Sequence, residues 1–155
     1  MCQRCNYSEM ITDTGLEPTP NRIRIMEVIG NNTSPLRAQD IFKTVSRTAD
    51  INRVTVYRIL DLLVERGLVE RLSPGGRSLL YGMAPNKNHP AHPHFNCVIC
   101  GSFHCLQPDS LTVDLTDIER SFAGEIRGLE IRINGICRAC LFTEREKRDK
   151  RKKLQ

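Results

Sequence analysis

Asn52-Arg53-Val54-Thr55-Val56-Tyr57-Arg58-Ile59-Leu60-Asp61-Leu62-Leu63-Val64-Glu65-Arg66-Gly67-Leu68-Val69-Glu70-Arg71-Leu72 is the stretch on which the fold turns. Val56, Ile59, Leu60 and Leu63 recur on one helical face, which predicts a helix from about Asn52 to Arg66 with Gly67 as its C-terminal stop. The period then changes. Leu68 to Leu72 and Ser78 to Gly82 read as two short strands joined by Ser73-Pro74-Gly75-Gly76.

Upstream, residues 1 to 18 show no periodicity and read as a flexible lead-in. A helix is expected from about Asn21 to Asn31, with Ile25, Met26 and Ile29 inward. After a turn at Asn31, Asn32, Ser34 and Pro35, a second helix is expected from Leu36 to Ser46, with Ala38, Ile41, Phe42 and Val45 inward. Three helices followed by a ribbon is the order of a winged helix-turn-helix, whose third helix enters the major groove of DNA. Arg53, Tyr57 and Asp61 fall at i, i+4, i+8 on the polar face of that helix, with Thr55 and Arg58 alongside. This face suits base-edge and phosphate contacts; it also suits an ordinary solvated helix.

Downstream, Ala84 to Pro93 is rich in Pro, Asn and His, a linker supplied with metal ligands. His94 to Val98 and Ser102 to Leu106 read as strands around a Cys-bearing turn. Asp109 to Ala123 reads as a helix with Leu111, Leu115, Ile118 and Phe122 inward. Gly128 to Asn134 reads as a half-buried strand leading into Cys137. The fold class is therefore α/β (α+β): residues 1–83 a winged-helix domain, 84–93 a hinge, 94–142 a small dimerisation and metal-binding domain, and 143–155 a basic tail. So short a second domain, with few large apolar groups, is expected to need both zinc and a second copy of the chain.

Cys97 and Cys100 form one C-x-x-C pair and Cys137 and Cys140 another, preceded by His89, His92 and His94, with Cys105 between the two pairs. Four thiolates are the complement of a closed, structural tetrahedral Zn²⁺ site, and a remaining His/Cys group can hold a second, exchangeable ion. The other reading of two C-x-x-C pairs is a redox dithiol. The N-terminus MCQRCNYSEM has no secretory apolar stretch and no segment reaches transmembrane length, so no membrane partner is expected and the expected compartment is the cytoplasm, where thiols stay reduced. Net charge is +5, but Glu144 to Gln155 holds seven Lys/Arg and three Asp/Glu. Most of the excess sits in that tail, so the average charge by itself says little about nucleic acid.

The chain resembles the ferric uptake regulator family of metal-responsive bacterial repressors. The resemblance is carried by Thr19-Pro20-Asn21-Arg22; by Thr55-Val56-Tyr57-Arg58 with Gly67-Leu68-Val69-Glu70; by His92-Pro93-His94 before Cys97-Val98-Ile99-Cys100-Gly101; and by Gly135-Ile136-Cys137-Arg138-Ala139-Cys140. It implies a homodimer that binds a double-stranded DNA operator when a divalent metal is bound. It implies structural zinc at Cys97, Cys100, Cys137 and Cys140, and regulatory ligands at His92 and His94. At the offset where relatives commonly place a carboxylate ligand this chain has Cys105, with His89 or Glu70 as candidates to complete the set. Arg22, in the first matched segment, joins Arg53, Thr55, Tyr57 and Arg58 as a candidate DNA contact.

The chain departs from the family pattern at several positions. Ser34-Pro35 stands where many iron and peroxide sensors carry a His, Leu129 where relatives often have His, and Glu17 near a usual basic residue; Cys2-Gln3-Arg4-Cys5 has no counterpart. A soft thiolate at Cys105 shifts preference from Fe²⁺ and Mn²⁺ toward Zn²⁺. The expected function is thus a zinc-responsive repressor of zinc-uptake genes. An iron- or peroxide-responsive regulator is the alternative within the family. A zinc-dependent hydrolase or a thiol oxidoreductase is the alternative from another class, though no H-E-x-x-H or comparable general base adjoins the histidines.

Overall fold

The structure, a computed structural model, describes residues 5–73 and 79–143, which belong to two units, Met1–Ala91 and His92–Gln155. Cys2, the ribbon turn at 74–76 with Ser78, and the basic tail beyond residue 143 lie outside the described residues.

The lead-in contains a helix that periodicity does not show. α1 (Tyr7–Asp13) starts at Asn6, whose Oδ1 accepts the Glu9 amide at 3.2 Å, and it buries Tyr7 and Ile11. Two buried positions in so short a helix are too few to reveal a period. α2 (Pro20–Gly30) opens on a proline and buries Ile25, Met26 and Ile29, the expected stripe. A Cβ at Gly30 would lie 2.1 Å from the Tyr7 hydroxyl oxygen, so glycine is what lets α1 lie against α2.

The single helix expected over Leu36 to Ser46 divides into β1 (Leu36–Arg37) and α3 (Ala38–Val45). Leu36 and Arg37 pair antiparallel with Tyr81 and Leu80, so tertiary pairing overrides helical spacing at those two residues. α3 buries Ala38, Ile41 and Val45, with Phe42 only half-buried. α4 (Arg53–Glu65) is capped by Asn52, whose Oδ1 accepts the Thr55 amide at 2.8 Å and its hydroxyl at 3.0 Å. It ends at Gly67 with φ +67°; the Leu68 amide reaches back to the Leu63 carbonyl at 2.9 Å, closing the helix as a glycine stop does.

β2 (Val69–Leu72) and β3 (Leu80–Met83) pair antiparallel, and β1 adds a third strand in the order β1-β3-β2. The wing is therefore a three-stranded sheet, not a two-stranded ribbon. Val56, Leu60 and Leu63 of α4 are fully buried among Ile11, Ile25, Met26 and Ile41. Each such side chain contributes roughly 1.5–3 kcal/mol of burial. This core holds α4 with its polar face outward.

The second unit is built on β4 (His94–Cys97), flanked by β5 (Phe103–Cys105), antiparallel, and β6 (Arg132–Gly135), parallel. The helix expected over Asp109 to Ala123 is present only as a 3₁₀ turn at Pro108–Ser110 and the short α5 (Thr116–Ser121). Asp114 explains the late start: its Oδ1 accepts the Thr116 amide at 2.9 Å and its hydroxyl at 2.5 Å, a local bond that competes with continued helix. Leu111, Ile118 and Phe122 are exposed rather than inward. The strand expected from Gly128 begins at Arg132, with Leu129 and Ile133 exposed.

Candidate metal centres

Sheet topology brings the two cysteine pairs together. β4 and β6 run parallel with Cys97 opposite Gly135, so the C-x-x-C segments that follow each strand emerge at the same edge. The first pair turns tightly: Gly101 takes φ +68° and its amide donates to the Cys97 carbonyl at 2.9 Å. The second opens a helical turn over 138–143, where the Leu141 amide donates to the Cys137 carbonyl at 3.0 Å.

The four Sγ atoms lie within 4.8 Å of one another, and Cys100 and Cys137 are 3.8 Å apart. A tetrahedron with Zn–S arms of about 2.3 Å has edges of about 3.8 Å. The donor set therefore fits Zn²⁺ in number, softness and spacing.

The electrostatics of Cys97, Cys100 and Cys140 point the same way. Backbone amides of Cys100 and Cys137 lower the Cys97 thiol to about 6; the Cys137 amide lies 3.3 Å from its sulfur. The side chain and backbone of Ser102 lower Cys100, and the two side chains are 3.2 Å apart. Cys140 is pushed up to about 12, chiefly by its side-chain bond with Cys137 and then by burial. Thiolates held this close repel one another. A dication relieves that repulsion.

His92, His94 and Cys105 form a second cluster, their ligand atoms also within 4.8 Å. His94 stands directly opposite Cys105 in the β4/β5 register, and the His92 and His94 rings are 4.7 Å apart. His94 is buried and stacks on Phe103 at 5.0 Å. Side chains alternate along a strand, so His94 and Cys97 belong to opposite faces of β4 and the two clusters are separate sites. His104, adjacent to Cys105, points the other way and meets Phe95.

His89 and Glu70 belong to the first unit. His89 closes a small bridge with Asn86, at 2.8 and 3.0 Å, and Glu70 lies on β2 opposite Gly82. Cys5 packs half-buried against the first unit's core.

The candidate DNA contacts also lie in the first unit. Tyr57 is 41% exposed, and Arg58 is exposed beside it. The Arg53 guanidinium sits over the Phe42 ring at 5.6 Å, and Arg22 donates to the Glu17 carbonyl at 2.6 Å. The Thr55 hydroxyl donates to the Asn52 cap, which leaves it acceptor capacity only. Sequence reading places Asp61 on the same face but gives no partner for it; Arg71 of β2 pairs with it. Ten positions separate the two residues, so no helical or strand periodicity could have revealed the pair.

Among the described residues, no helix is long and apolar enough to cross a membrane. The ferric uptake regulator family profile matches residues 13–133. The chain is 29% identical over 130 residues to the Ferric uptake regulation protein of Bacillus subtilis (strain 168), covering 83% of this chain and 87% of that protein. It is 28% identical over 138 residues to the Peroxide operon regulator of the same bacterium, covering 85% and 89%. In fold it is similar to a solved zinc uptake regulator complexed with zinc and DNA, with a TM-score of 0.57 and 22% identity over 88% of this chain and 91% of that one. The winged helix, the metal-suited second unit and the profile match agree: this chain belongs to the ferric uptake regulator family and is a metal-responsive, DNA-binding transcription regulator, not an enzyme.

Proposed function

We propose that this regulator is a zinc-responsive repressor acting in the cytoplasm on zinc-uptake genes. The observation that carries the reading is Cys105, a thiol directly across the β4/β5 ladder from His94 and clustered with His92. Mixed imidazole and thiolate ligands favour Zn²⁺ over Fe²⁺ and Mn²⁺. In this reading Cys97, Cys100, Cys137 and Cys140 hold a structural Zn²⁺ that contributes folding free energy. His92, His94 and Cys105 hold the exchangeable ion, with His89 or Glu70 as the further ligand.

The repressor works as a homodimer on a palindromic operator. Leu111, Val113, Ile118, Phe122, Leu129 and Ile133 of the second unit are each more than 40% exposed in the single chain, an apolar surface suited to a second copy. Two winged helices then meet half-sites about 34–36 Å apart, with Arg22, Arg53, Thr55, Tyr57 and Arg58 toward the duplex. Regulators named for iron and for peroxide are also among the chain's relatives, so an iron- or peroxide-responsive regulator is the second reading.

Anomalous scattering at the zinc edge, combined with operator binding under Zn²⁺, Fe²⁺ and Mn²⁺, separates the two. The zinc reading expects two zinc positions per chain, one in each cluster, and tightest DNA binding with Zn²⁺. A single zinc at the four cysteines, with DNA binding restored by Fe²⁺ or Mn²⁺ but not Zn²⁺, would favour the second.

A further inference from the structure

Arg71 and Asp61 form an ion pair that bridges the wing strand β2 to the outer face of α4, and both side chains remain substantially exposed, at 42% and 60%. An exposed pair of this kind adds little to stability. Its position says more. Asp61 continues the Arg53, Tyr57 stripe at i+8, about 12 Å along the helix from Arg53 at 1.5 Å per residue. The major groove is itself about 12 Å wide. When the N-terminal turns of a recognition helix meet base edges, the turn that carries Asp61 lies at the groove rim, where the phosphate backbone passes.

A bare carboxylate there would repel phosphate. The guanidinium of Arg71 supplies five N–H donors in a planar fork, and the pair occupies one terminal nitrogen, leaving donors for a phosphate oxygen. We propose that the Asp61–Arg71 pair is a positioning device for DNA: Asp61 holds the Arg71 guanidinium at the groove rim for a phosphate contact, and Arg71 masks the carboxylate that would otherwise oppose binding. The pair thereby fixes the register of α4 on the duplex. This rests on the reading that α4 enters the groove.

Two losses follow from the proposal, and they differ. Without Arg71, the chain loses a phosphate contact and also exposes Asp61. Without Asp61, Arg71 keeps its charge but loses its fixed place, so affinity persists while discrimination falls.

The test uses the full-length dimer loaded with whichever of Zn²⁺, Fe²⁺ or Mn²⁺ gives the tightest binding. The probes are a duplex selected by the parent protein from a randomised library and a scrambled duplex of equal length. Arg71→Ala is expected to weaken binding to both duplexes about tenfold at low salt and to reduce the salt slope by about 1. Asp61→Ala is expected to keep scrambled-duplex affinity or raise it, and to cut the selected-to-scrambled ratio by about fivefold, on the scale of a misplaced contact. The double variant, relieved of the bare carboxylate, is expected to bind at least about threefold better than Arg71→Ala alone, a coupling that a double-mutant cycle isolates. If the double variant binds no better than Arg71→Ala, or if Asp61→Ala leaves the ratio unchanged, the positioning role is overturned. Tyr57→Ala separates the two levels of failure. Unchanged affinity in Tyr57→Ala defeats the groove reading itself, whereas weakened binding there with an unaffected Arg71→Ala defeats only the pair.

Discussion

The two units of this chain solve the problem of stability in opposite ways. Among the described residues, the sixteen buried members of the main hydrophobic cluster lie between Tyr7 and Met83, in the first unit. In the second unit Phe103 is the one large hydrocarbon side chain among the buried hydrophobic residues described, while eleven large apolar side chains, from Val98 to Phe142, stand exposed. The first unit therefore carries its own core. The second buries little of its own, and in the proposed reading a metal and another copy of the chain complete it. A dependence of that kind is suited to sensing, because the unit that lacks an independent core is the one whose state a metal ion can decide.

The strongest way to break this contrast is to remove one thiolate. Structural zinc sites carry an apparent binding free energy of about 10–16 kcal/mol. Cys137→Ser is expected to lose the zinc, the dimer and hydrogen-exchange protection over residues 92–143, while amides of α2 and α4 stay protected. A Cys137→Ser protein that remains dimeric with its full zinc content would show that the second unit does not depend on that site.

A pair of truncations distinguishes the two units at a smaller scale. Leu63 is fully buried in the first unit, and Leu63→Ala is expected to destabilise that unit by about 2–5 kcal/mol in denaturant unfolding. Phe122 is 56% exposed in the single chain. Phe122→Ala is expected instead to raise the dimer dissociation constant, read by sedimentation, with little change in the unfolding of the first unit. Equal effects of both variants on first-unit unfolding, with dimerisation untouched, would erase the distinction between the two surfaces.

Within the first unit, DNA reading and folding should also come apart. Arg58→Ala is expected to cost about 1–3 kcal/mol in operator binding if Arg58 reads a base, or to lower the salt slope by about 1 if it meets phosphate, with the melting temperature unmoved. An unchanged operator affinity across a salt series would direct attention to another surface. The smallest effect belongs to the cap of the same helix. Asn52→Ala removes the acceptor of the Thr55 amide and hydroxyl and is expected to cost about 1 kcal/mol of stability, measured by chemical denaturation. A variant as stable as the parent would mean that water or a neighbouring group replaces the cap.

What could be read from the sequence follows the same division. The stripes Ile25, Met26, Ile29 and Val56, Leu60, Leu63 are inward as their spacing predicts, because the first unit buries them within one chain, while Ile59, expected with them, is only partly buried against that core. Leu111, Ile118 and Phe122 also have helical spacing, yet they are exposed and most of the helix is absent. Their period records apolar surface without saying that this chain alone covers it, and Asp114 breaks the helix locally. α1 is too short to show a period, although Asn6 three residues before Glu9 is an N-cap signal in the sequence. β1 is set by pairing with β3, which no local pattern reports. The two C-x-x-C pairs were legible because their ligands are adjacent in sequence. The parallel β4/β6 register that unites them was not.

Whether Cys105 makes the exchangeable site a zinc site shows most directly in operator binding as a function of free Zn²⁺, measured for the parent and for Cys105→Asp. Cys105→Asp is expected to keep the dimer and the structural zinc but to need at least about tenfold more free Zn²⁺ to reach half-maximal DNA binding, the scale of losing a tuned ligand interaction. The same variant is expected to gain response to harder ions such as Mn²⁺, because a carboxylate replaces a thiolate. If Cys105→Asp instead follows the parent's zinc curve without change, Cys105 is a strand residue and not a ligand, and zinc as the signal loses its support.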